Sequence, residues 1–256
     1  MKQLHGTDQR TLAWINLYGI LGALEELCAM DEEARALVAD RDVAVGFRVA
    51  GGPRATLRFA GGQCTLEEGD EHCDIRLPFA SPEKFNGMID GTVTPIPTKG
   101  LTKVKFLLGP FTKLTDRLTR YLRASEQDLQ DPEFFRRSTT LMFFVIAEAL
   151  SQIGNRDRIG RASAANMPDG VVCLRIEGGP AAAIGVRNHV LRTVKRAPEK
   201  PMATMSFGSM EIARELFDGK RNAMASLGTG EIRVQGLMPL LDNVNRILDR
   251  VALYLA

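Results

Sequence analysis

Few residues in this chain have the type and spacing needed for chemistry. The three histidines, His5, His72 and His189, lie far apart, and none forms the two-histidine helical motif that binds a metal or provides a base. Cys64, His72 and Cys73 form the one group that could bind a soft metal ion, and the second half of the chain has no matching pair. We therefore expect no metal site.

Two acidic–basic pairs are a second possibility for catalysis. Asp116-Arg117 and Asp249-Arg250 occur in related contexts, but such neighbours on an amphipathic helix usually form solvated or interfacial ion pairs. The glycine-rich turns lack the strand–turn–helix context of a dinucleotide site, and the sequence contains no G-x-x-x-x-G-K-[ST] phosphate loop. The sequence predicts no catalytic residue, no cofactor and no enzymatic activity.

Composition is typical of a globular protein. The 256 residues are 45% hydrophobic and 25% charged, which is enough chain for two small cores. Basic and acidic residues are balanced in each half, whereas a nucleic-acid surface concentrates basic residues. The four cysteines do not recur at equivalent positions, so we expect free thiols and a cytoplasmic location. We expect no transmembrane segment, although transient contact with a membrane is compatible with the sequence.

Three blocks of the first half return in the same order in the second half. Residues 47–53 (FRVAGGP) match residues 174–180 (LRIEGGP), and residues 79–91 (FASPEKFNGMIDG) match residues 207–219 (FGSMEIARELFDG). Residues 114–122 (LTDRLTRYL) match residues 247–255 (ILDRVALYL), although pairing Pro110 with Pro239 would align that region differently. We predict two homologous domains of about 125 residues, over 1–123 and 132–256, with a linker over 124–131.

Both halves have the same predicted order of elements. Each begins with a helical region, over 8–39 and 132–153, and continues with strands that alternate apolar and polar residues around a Gly-Gly-Pro turn. A short helix follows, with Ser81 or Ser209 as its N-cap and Gly91 or Gly219 at its C-terminal end. A last strand, over 103–107 or 231–235, then precedes an amphipathic closing helix.

Part of the second half resembles a known protein family. Residues 207–236 (FGSMEIARELFDGKRNAMASLGTGEIRVQG) and the helix after them are similar to the signature of the sterol carrier protein type-two (SCP-2) family. The first half departs from it, because Pro95 and Pro97 stand where the second half has Ala223 and Ala225. The resemblance implies an α+β fold of two tandem SCP-2-like domains, each a five-stranded, mainly antiparallel sheet covered by helices. It also implies an apolar tunnel that binds lipids without transforming them.

The candidate ligand-binding residues follow from that resemblance. They are Phe207, Leu216, Phe217, Met224, Leu227, Met238, Leu241 and Val244 in the second half, and Phe79, Phe85, Ile89, Ile96, Phe106, Leu108 and Phe111 in the first. Five methionines, at positions 202, 205, 210, 224 and 238, favour a cavity in the second half, because flexible thioethers accept varied apolar shapes. Filling of irregular gaps in a solid core is the alternative explanation.

The expected function is therefore non-enzymatic binding or carrying of a lipid or sterol-like ligand. Two alternatives need no functional tunnel: a structural or interaction module, and an accessory subunit that presents apolar substrates to a partner enzyme. The duplication also predicts a pseudo-dimer within the chain. Its predicted interface is the two opening helices, through Trp14, Leu17, Tyr18, Leu21 and Leu24, and through Leu141, Phe143, Phe144, Ile146 and Leu150.

Overall fold

The computed structural model describes residues 7–255, which divide into two units, Met1–Asp131 and Pro132–Ala256. Each unit has one β-sheet and a set of helices. The elements of the first unit are α1 (Gln9–Trp14), α2 (Leu24–Met30), α3 (Glu32–Val38), β1 (Asp42–Val49), β2 (Arg54–Ala60), β3 (Gln63–Glu68), β4 (Ile75–Phe79), α4 (Pro82–Ile89), α5 (Val104–Phe106) and α6 (Thr112–Leu122). A π-helical turn (Ile15–Ile20) and a 3-10 turn (Leu21–Ala23) connect α1 to α2 without a break in the helix.

The sheet of the first unit has the strand order β3-β2-β1-β4. Strand β1 is antiparallel to β2 and parallel to β4, so that Val49 lies beside Phe79. Strand β3 is antiparallel to β2 on the other side. Helix α2 packs against β3 and α6, and α1 packs against α4.

The second unit repeats this arrangement with one more strand. Its elements are α7 (Pro132–Arg156), α8 (Arg158–Ala165), β5 (Gly170–Ile176), β6 (Ala181–Arg187), β7 (Val190–Val194), β8 (Ala203–Phe207), α9 (Met210–Phe217), α10 (Ala223–Gly228), β9 (Ile232–Gly236) and α11 (Met238–Leu255). The strand order is β7-β6-β5-β8-β9, with β5 and β8 parallel and the other pairs antiparallel. Helix α7 packs over β6 and β7, and α11 packs over β5 and β8.

The predicted turns and caps are confirmed. Gly51 and Gly178 each have φ +70 in the turns after β1 and β5, a backbone conformation that residues other than glycine rarely adopt. The Ser81 hydroxyl accepts a hydrogen bond from the Lys84 amide at 3.4 Å, and Ser209 accepts one from the Ile212 amide at 3.2 Å. Local sequence therefore determines both the hairpin and the start of α4 and α9.

The fifth strand predicted for the first half, over 103–107, is wrong. In its place a 3-10 turn (Leu101–Lys103), α5 and a π-helical turn (Leu107–Phe111) lead into α6. The preceding loop pairs with β4 through a single bridge, between Arg76 and Lys99. Pro95 and Pro97 have no amide hydrogen to donate, so the loop around them cannot continue a ladder along β4.

One helical stretch has the length and composition of a membrane span. Within residues 7–255, Gln9–Met30 is 22 residues long and has a mean hydropathy of 1.2 over the tested window. That window is 61% buried, and its residues pack against β3 and α4 of the same unit. Buried core helices have the same length and composition, and the packing of Gln9–Met30 is that of a core helix.

Candidate functional site

The second unit has a partly open cavity of about 380 Å³ between its sheet and its helices. This volume lies in the range of about 300–1,000 Å³ found for small-molecule sites. The lining residues are Met142, Phe143 and Ile146 of α7; Leu174, Met205, Phe207 and Ile232 of the sheet; Leu216, Phe217, Asp218, Gly219, Arg221, Ala223 and Leu227 of α9, α10 and the loop between them; and Asn245, Leu248, Asp249, Val251, Ala252 and Leu255 of α11.

The register of the strands assembles the floor of the cavity. Leu174 of β5 lies beside Met205 of the parallel strand β8, and Phe207 lies beside Ile232 of the antiparallel strand β9. The ring of Phe207 meets Phe217 edge to face, with ring centroids 5.8 Å apart. Because side chains alternate across a strand, Met205 and Phe207 lie on the same face of β8. The floor is therefore a continuous apolar surface.

Helix α11 forms a wall with one face and joins the core with another. Asn245, Leu248, Ala252 and Leu255 recur at spacings of three and four and line the cavity. Leu241 and Val244 are fully buried and do not line it. The apolar stripe in the sequence did not distinguish the face of α11 toward the core from the face toward the cavity.

Four of the predicted residues of the second half line the cavity: Phe207, Leu216, Phe217 and Leu227. The two predicted methionines do not, since Met224 is 72% exposed on α10 and Met238 is 52% exposed in the first turn of α11. Of the five clustered methionines, Met205 alone lines the cavity. The methionine pattern lies in the unit that contains the cavity, but four of its five side chains do not line it.

Sequence reasoning missed the wall formed by α7. Met142, Phe143 and Ile146 lie in the opening helix, outside the segment that carries the family resemblance. Phe143 and Ile146 were predicted to lie at an interdomain surface, but they line the cavity of their own unit. Their apolar helical spacing was the available signal, and it is the same for a core, an interface or a cavity.

Arg221, which lines the cavity, and the nearby Arg214 form ion pairs with carboxylates. Arg221 donates to Glu215 Oε2 at 2.7 Å and to Glu231 Oε1 at 2.6 Å, and these hydrogen bonds raise the pKa of Arg221. The bond from Arg221, followed by one from Ser226, lowers the pKa of Glu231. Arg214 holds Asp218 at 3.0 Å. Both guanidinium groups are thus neutralised, and the exposed Asp249 of α11 adds a further carboxylate to the rim.

Phenylalanine rings fill the corresponding interior of the first unit. They are Phe47, Phe59, Phe79, Phe85, Phe106 and Phe111, with centroid distances from 5.1 Å (Phe79–Phe85) to 6.3 Å (Phe106–Phe111). Phe79, Phe85, Phe106 and Phe111, predicted as ligand contacts, therefore contact other rings of this cluster. Ile89 is half-buried, and Ile96 and Leu108 are exposed, so the last two do not line an interior site.

Two substitutions within the repeat account for part of this difference. Phe47 corresponds to Leu174, and Phe85 corresponds to Ala213. Two further rings, Phe106 and Phe111, come from the helical segment that stands in place of the fifth strand. The filling of the interior therefore follows both from these substitutions and from the helical segment that stands in place of the fifth strand.

Each unit also contains a buried aspartate that ties the closing helix to the opening helices. Asp157 caps α8 by accepting from the amides of Ile159 and Gly160, both at 2.9 Å. It also accepts from Arg250 at 3.0 Å and from the Tyr254 hydroxyl at 2.9 Å. We call these three residues, Asp157, Arg250 and Tyr254, the Asp157 cluster.

The first unit has the same arrangement around Asp31. Asp31 caps α3 through the Ala34 amide at 2.8 Å and accepts from Arg117 and Tyr121, both at 2.6 Å. The sequence allowed solvated or interfacial ion pairs for Asp116-Arg117 and Asp249-Arg250, and the structure shows that each arginine pairs between helices with a buried aspartate distant in sequence. The matching contacts favour the alignment of 114–122 with 247–255.

The described residues contain no group of three or more His, Cys, Asp or Glu side chains placed to hold a metal ion. Cys64 and Cys73 are buried free thiols, and the Cys73 thiol donates to the Asp70 carbonyl at 3.2 Å. The Asp70 carboxylate pairs with Arg48 at 2.8 Å and with Arg76 at 2.9 Å. Two arginines therefore hold the carboxylate of Asp70 beside Cys73.

The fold and the site define a two-unit α+β protein with an apolar cavity between sheet and helices in its second unit. Solved structures similar to the chain include the sterol carrier protein domain 2 of Helicoverpa armigera, which is 20% identical over 43% of this chain and 88% of that one, with a TM-score of 0.36. The UbiJ-SCP2 ubiquinone synthesis protein is 14% identical over 41% and 91%, with a TM-score of 0.33.

A third structure, sterol carrier protein 2 like 2 from Aedes aegypti, is 16% identical over 41% of this chain and 94% of that one, with a TM-score of 0.29. These structures are SCP-2 domains, the family that residues 207–236 resemble. No protein-family model and no curated protein matches the chain.

Proposed function

We propose that the chain is a non-enzymatic binding protein for a lipid or sterol-like molecule, which it holds in the second unit. The observation that carries this proposal is the cavity of about 380 Å³, whose floor and walls are mainly apolar side chains. Transfer of an apolar ligand from water to such a site is favourable by about 25 cal/mol of free energy for each Å² of apolar surface buried. The resemblance to the SCP-2 signature supports the same class of ligand.

The charges at the rim favour a ligand with a neutral polar end. Arg214 and Arg221 are each held by a carboxylate, and the exposed Asp249 adds a negative charge beside the cavity. A carboxylate or phosphate head group would meet more negative than positive charge there. A hydroxyl group could instead hydrogen-bond to Asn245 or Asp249.

Native mass spectrometry of the purified chain after incubation with a cell lipid extract tests the proposal. We expect retention of an uncharged lipid, and we expect a fluorescent fatty alcohol to bind more tightly than the fatty acid of equal length. Asp249→Asn should improve binding of the acid more than binding of the alcohol. A chain that stays empty across sterols, acyl lipids and isoprenoids would show that the proposed function is wrong.

The first unit has a different role in this proposal. Its interior is occupied by phenyl rings, so we assign it the role of a structural or interaction module beside the binding unit. Shared turn, cap and aspartate contacts support its origin by tandem duplication. Presentation of an apolar substrate to a partner enzyme is the alternative function, and capture of a biosynthetic enzyme by the immobilised chain would favour it over a free carrier.

A further inference from the structure

The segment from the end of α4 to the first turn of α6 combines exposed apolar side chains with an excess of lysine. Residues 91–115 contain Lys99, Lys103, Lys105 and Lys113 and no aspartate or glutamate. Within this segment Ile96, Leu101 and Leu108 are 76%, 68% and 77% exposed. The excess of lysine is unusual in this chain, because positive and negative charges are balanced in the chain as a whole.

Helical spacing separates the exposed residues of this segment from the buried ones. Leu101, Lys105 and Leu108 are spaced by four and three residues, which places them along one face of the helical stretch that begins at Leu101. Phe106 and Phe111 lie on the other side and pack against Phe59. The buried rings therefore fix the orientation in which the leucines and Lys105 meet solvent.

Two of the four lysines fasten the segment to the sheet. The Lys99 ammonium donates to the Cys73 carbonyl, and Lys103 pairs with Asp74 at 3.0 Å. Gly100 has φ +82, and a Cβ atom there would lie 2.4 Å from the Asp74 carbonyl oxygen, so the turn packs directly on the strand backbone. Lys105 and Lys113 are exposed and form no ion pair with any residue in the described range 7–255.

We propose that Ile96, Leu101, Lys105, Leu108 and Lys113 form a docking surface for a bilayer that contains anionic lipids. Leucine and isoleucine side chains enter the boundary between head groups and acyl chains, and the lysines pair with phosphate or carboxylate head groups. The positive charge of the segment favours an anionic bilayer as the binding partner, because an uncharged apolar partner would gain no binding energy from the lysines. The inference concerns the first unit and does not depend on a ligand in the cavity.

Flotation of the full chain with vesicles tests this surface. We expect binding to vesicles of phosphatidylcholine mixed with phosphatidylglycerol, little binding to phosphatidylcholine alone, and weaker binding as sodium chloride screens the charges. Lys105→Gln with Lys113→Gln should lower the affinity about 25-fold, at about 5-fold for each lysine. Leu101→Ser with Leu108→Ser should lower it by at least about tenfold.

Matched controls change the same residue types elsewhere on the surface. Lys84→Gln with Lys200→Gln removes two exposed lysines, and Val190→Ser with Leu253→Ser removes two exposed apolar side chains. Both control pairs should bind vesicles like the unaltered chain. Equal binding to both kinds of vesicle, no binding to either, or equal losses in the test and control pairs would overturn the proposal. Binding of an acidic protein in place of vesicles would also overturn it.

A second comparison separates this proposal from the proposed function. Leu174→Phe, which places a ring in the cavity of the second unit, should leave vesicle binding unchanged. Vesicle binding without lipid retention would support the docking surface and contradict the binding function. Lipid retention without vesicle binding would support the binding function and contradict the docking surface.

Discussion

The Tyr254 hydroxyl donates a hydrogen bond to the Asp157 carboxylate at 2.9 Å, which joins the last turn of α11 to the N-terminus of α8. Tyr121 makes the same bond to Asp31 at 2.6 Å in the first unit. Since α11 supplies one wall of the cavity, the Asp157 cluster positions that wall. The cluster therefore connects the stability of the second unit to the shape of its cavity.

Loss of the cation in the Asp157 cluster should destabilise the second unit strongly. Arg250→Gln leaves a buried carboxylate without its charged partner, and we expect it to cost about 3–5 kcal/mol of unfolding free energy. Tyr254→Phe removes one hydrogen bond and should cost about 1 kcal/mol. Urea denaturation measures both. Arg246→Gln, on the exposed side of α11, is the control, and an equal effect at positions 246 and 250 would contradict the assignment.

The same cluster should make stability sensitive to acid. Burial alone would raise the pKa of Asp157, but hydrogen bonds from the Gly160 amide, Arg250 and Tyr254 outweigh it and lower the pKa below its ordinary value of 3.8. Because the folded pKa lies below the unfolded pKa, the stabilisation is complete above about pH 5 and is lost as pH falls through the folded pKa. Burial would likewise raise the pKa of Asp31, but hydrogen bonds from Arg117, Tyr121 and the Ala34 amide outweigh the effect of burial, so that pKa is also lowered.

Urea midpoints measured as a function of pH check this expectation. They should change little between about pH 7 and pH 5 and should fall below about pH 4. Asp157→Asn should lower the midpoint near neutral pH and reduce the further loss in acid. An unchanged acid dependence in that variant would show that other carboxylates control it.

Filling the cavity should abolish ligand binding. Leu174→Phe introduces the ring that Phe47 places at the corresponding position of the first unit, and we expect the affinity for the neutral dye Nile red to fall at least about tenfold. Fluorescence titration measures the change. Leu237→Phe enlarges a half-buried leucine that does not line the cavity and should keep normal affinity. Equal affinities in the two variants would place the dye elsewhere.

The cysteines should be unreactive in the folded chain. Cys28, Cys64, Cys73 and Cys173 are buried free thiols, and burial, with a smaller contribution from Asp31, raises the pKa of Cys28 to about 12. The thiolate is the reactive form, so we expect negligible labelling by iodoacetamide near neutral pH until denaturant is added. Mass spectrometry counts the adducts. Rapid labelling of Cys28 without denaturant would contradict its burial.

The pseudo-dimer remains a prediction from the repeat. If the two units pair through their opening helices, then residues 1–131 and 132–256 expressed separately should associate with each other. Sedimentation velocity of each piece and of their mixture measures this. Pieces that fold and stay monomeric in the mixture would show that the interface prediction is wrong.

Local signals in the sequence were sufficient for most of the fold. The turn at Gly51 and the caps at Ser81 and Ser209 depend on residues within a few positions, and the structure places them as predicted. The missing fifth strand had a usable signal as well, because Pro95 and Pro97 cannot donate ladder hydrogen bonds. The resemblance to the SCP-2 signature predicted a strand over 103–107, and the two prolines before it were the evidence against that strand.

The candidate site was harder to predict because its contacts are distant in sequence. Asp157 meets Arg250 and Tyr254 through side chains more than ninety positions apart, and nothing near Asp157 marks it as their partner. Phe143 and Leu248 border empty space, whereas Val244 borders packed atoms, yet all three follow apolar helical spacing. Periodicity identifies a buried face without indicating whether that face meets a void.

Helices from opposite ends of the second unit's sequence form the walls of its cavity. A nascent chain exposes Phe143 well before Ala252 leaves the ribosome, and the chamber does not exist until both have folded together. A ligand of the proposed kind could therefore bind only after α11 has folded onto the sheet. A chain terminated within α11 would leave the apolar floor open to solvent and would become a target for chaperones.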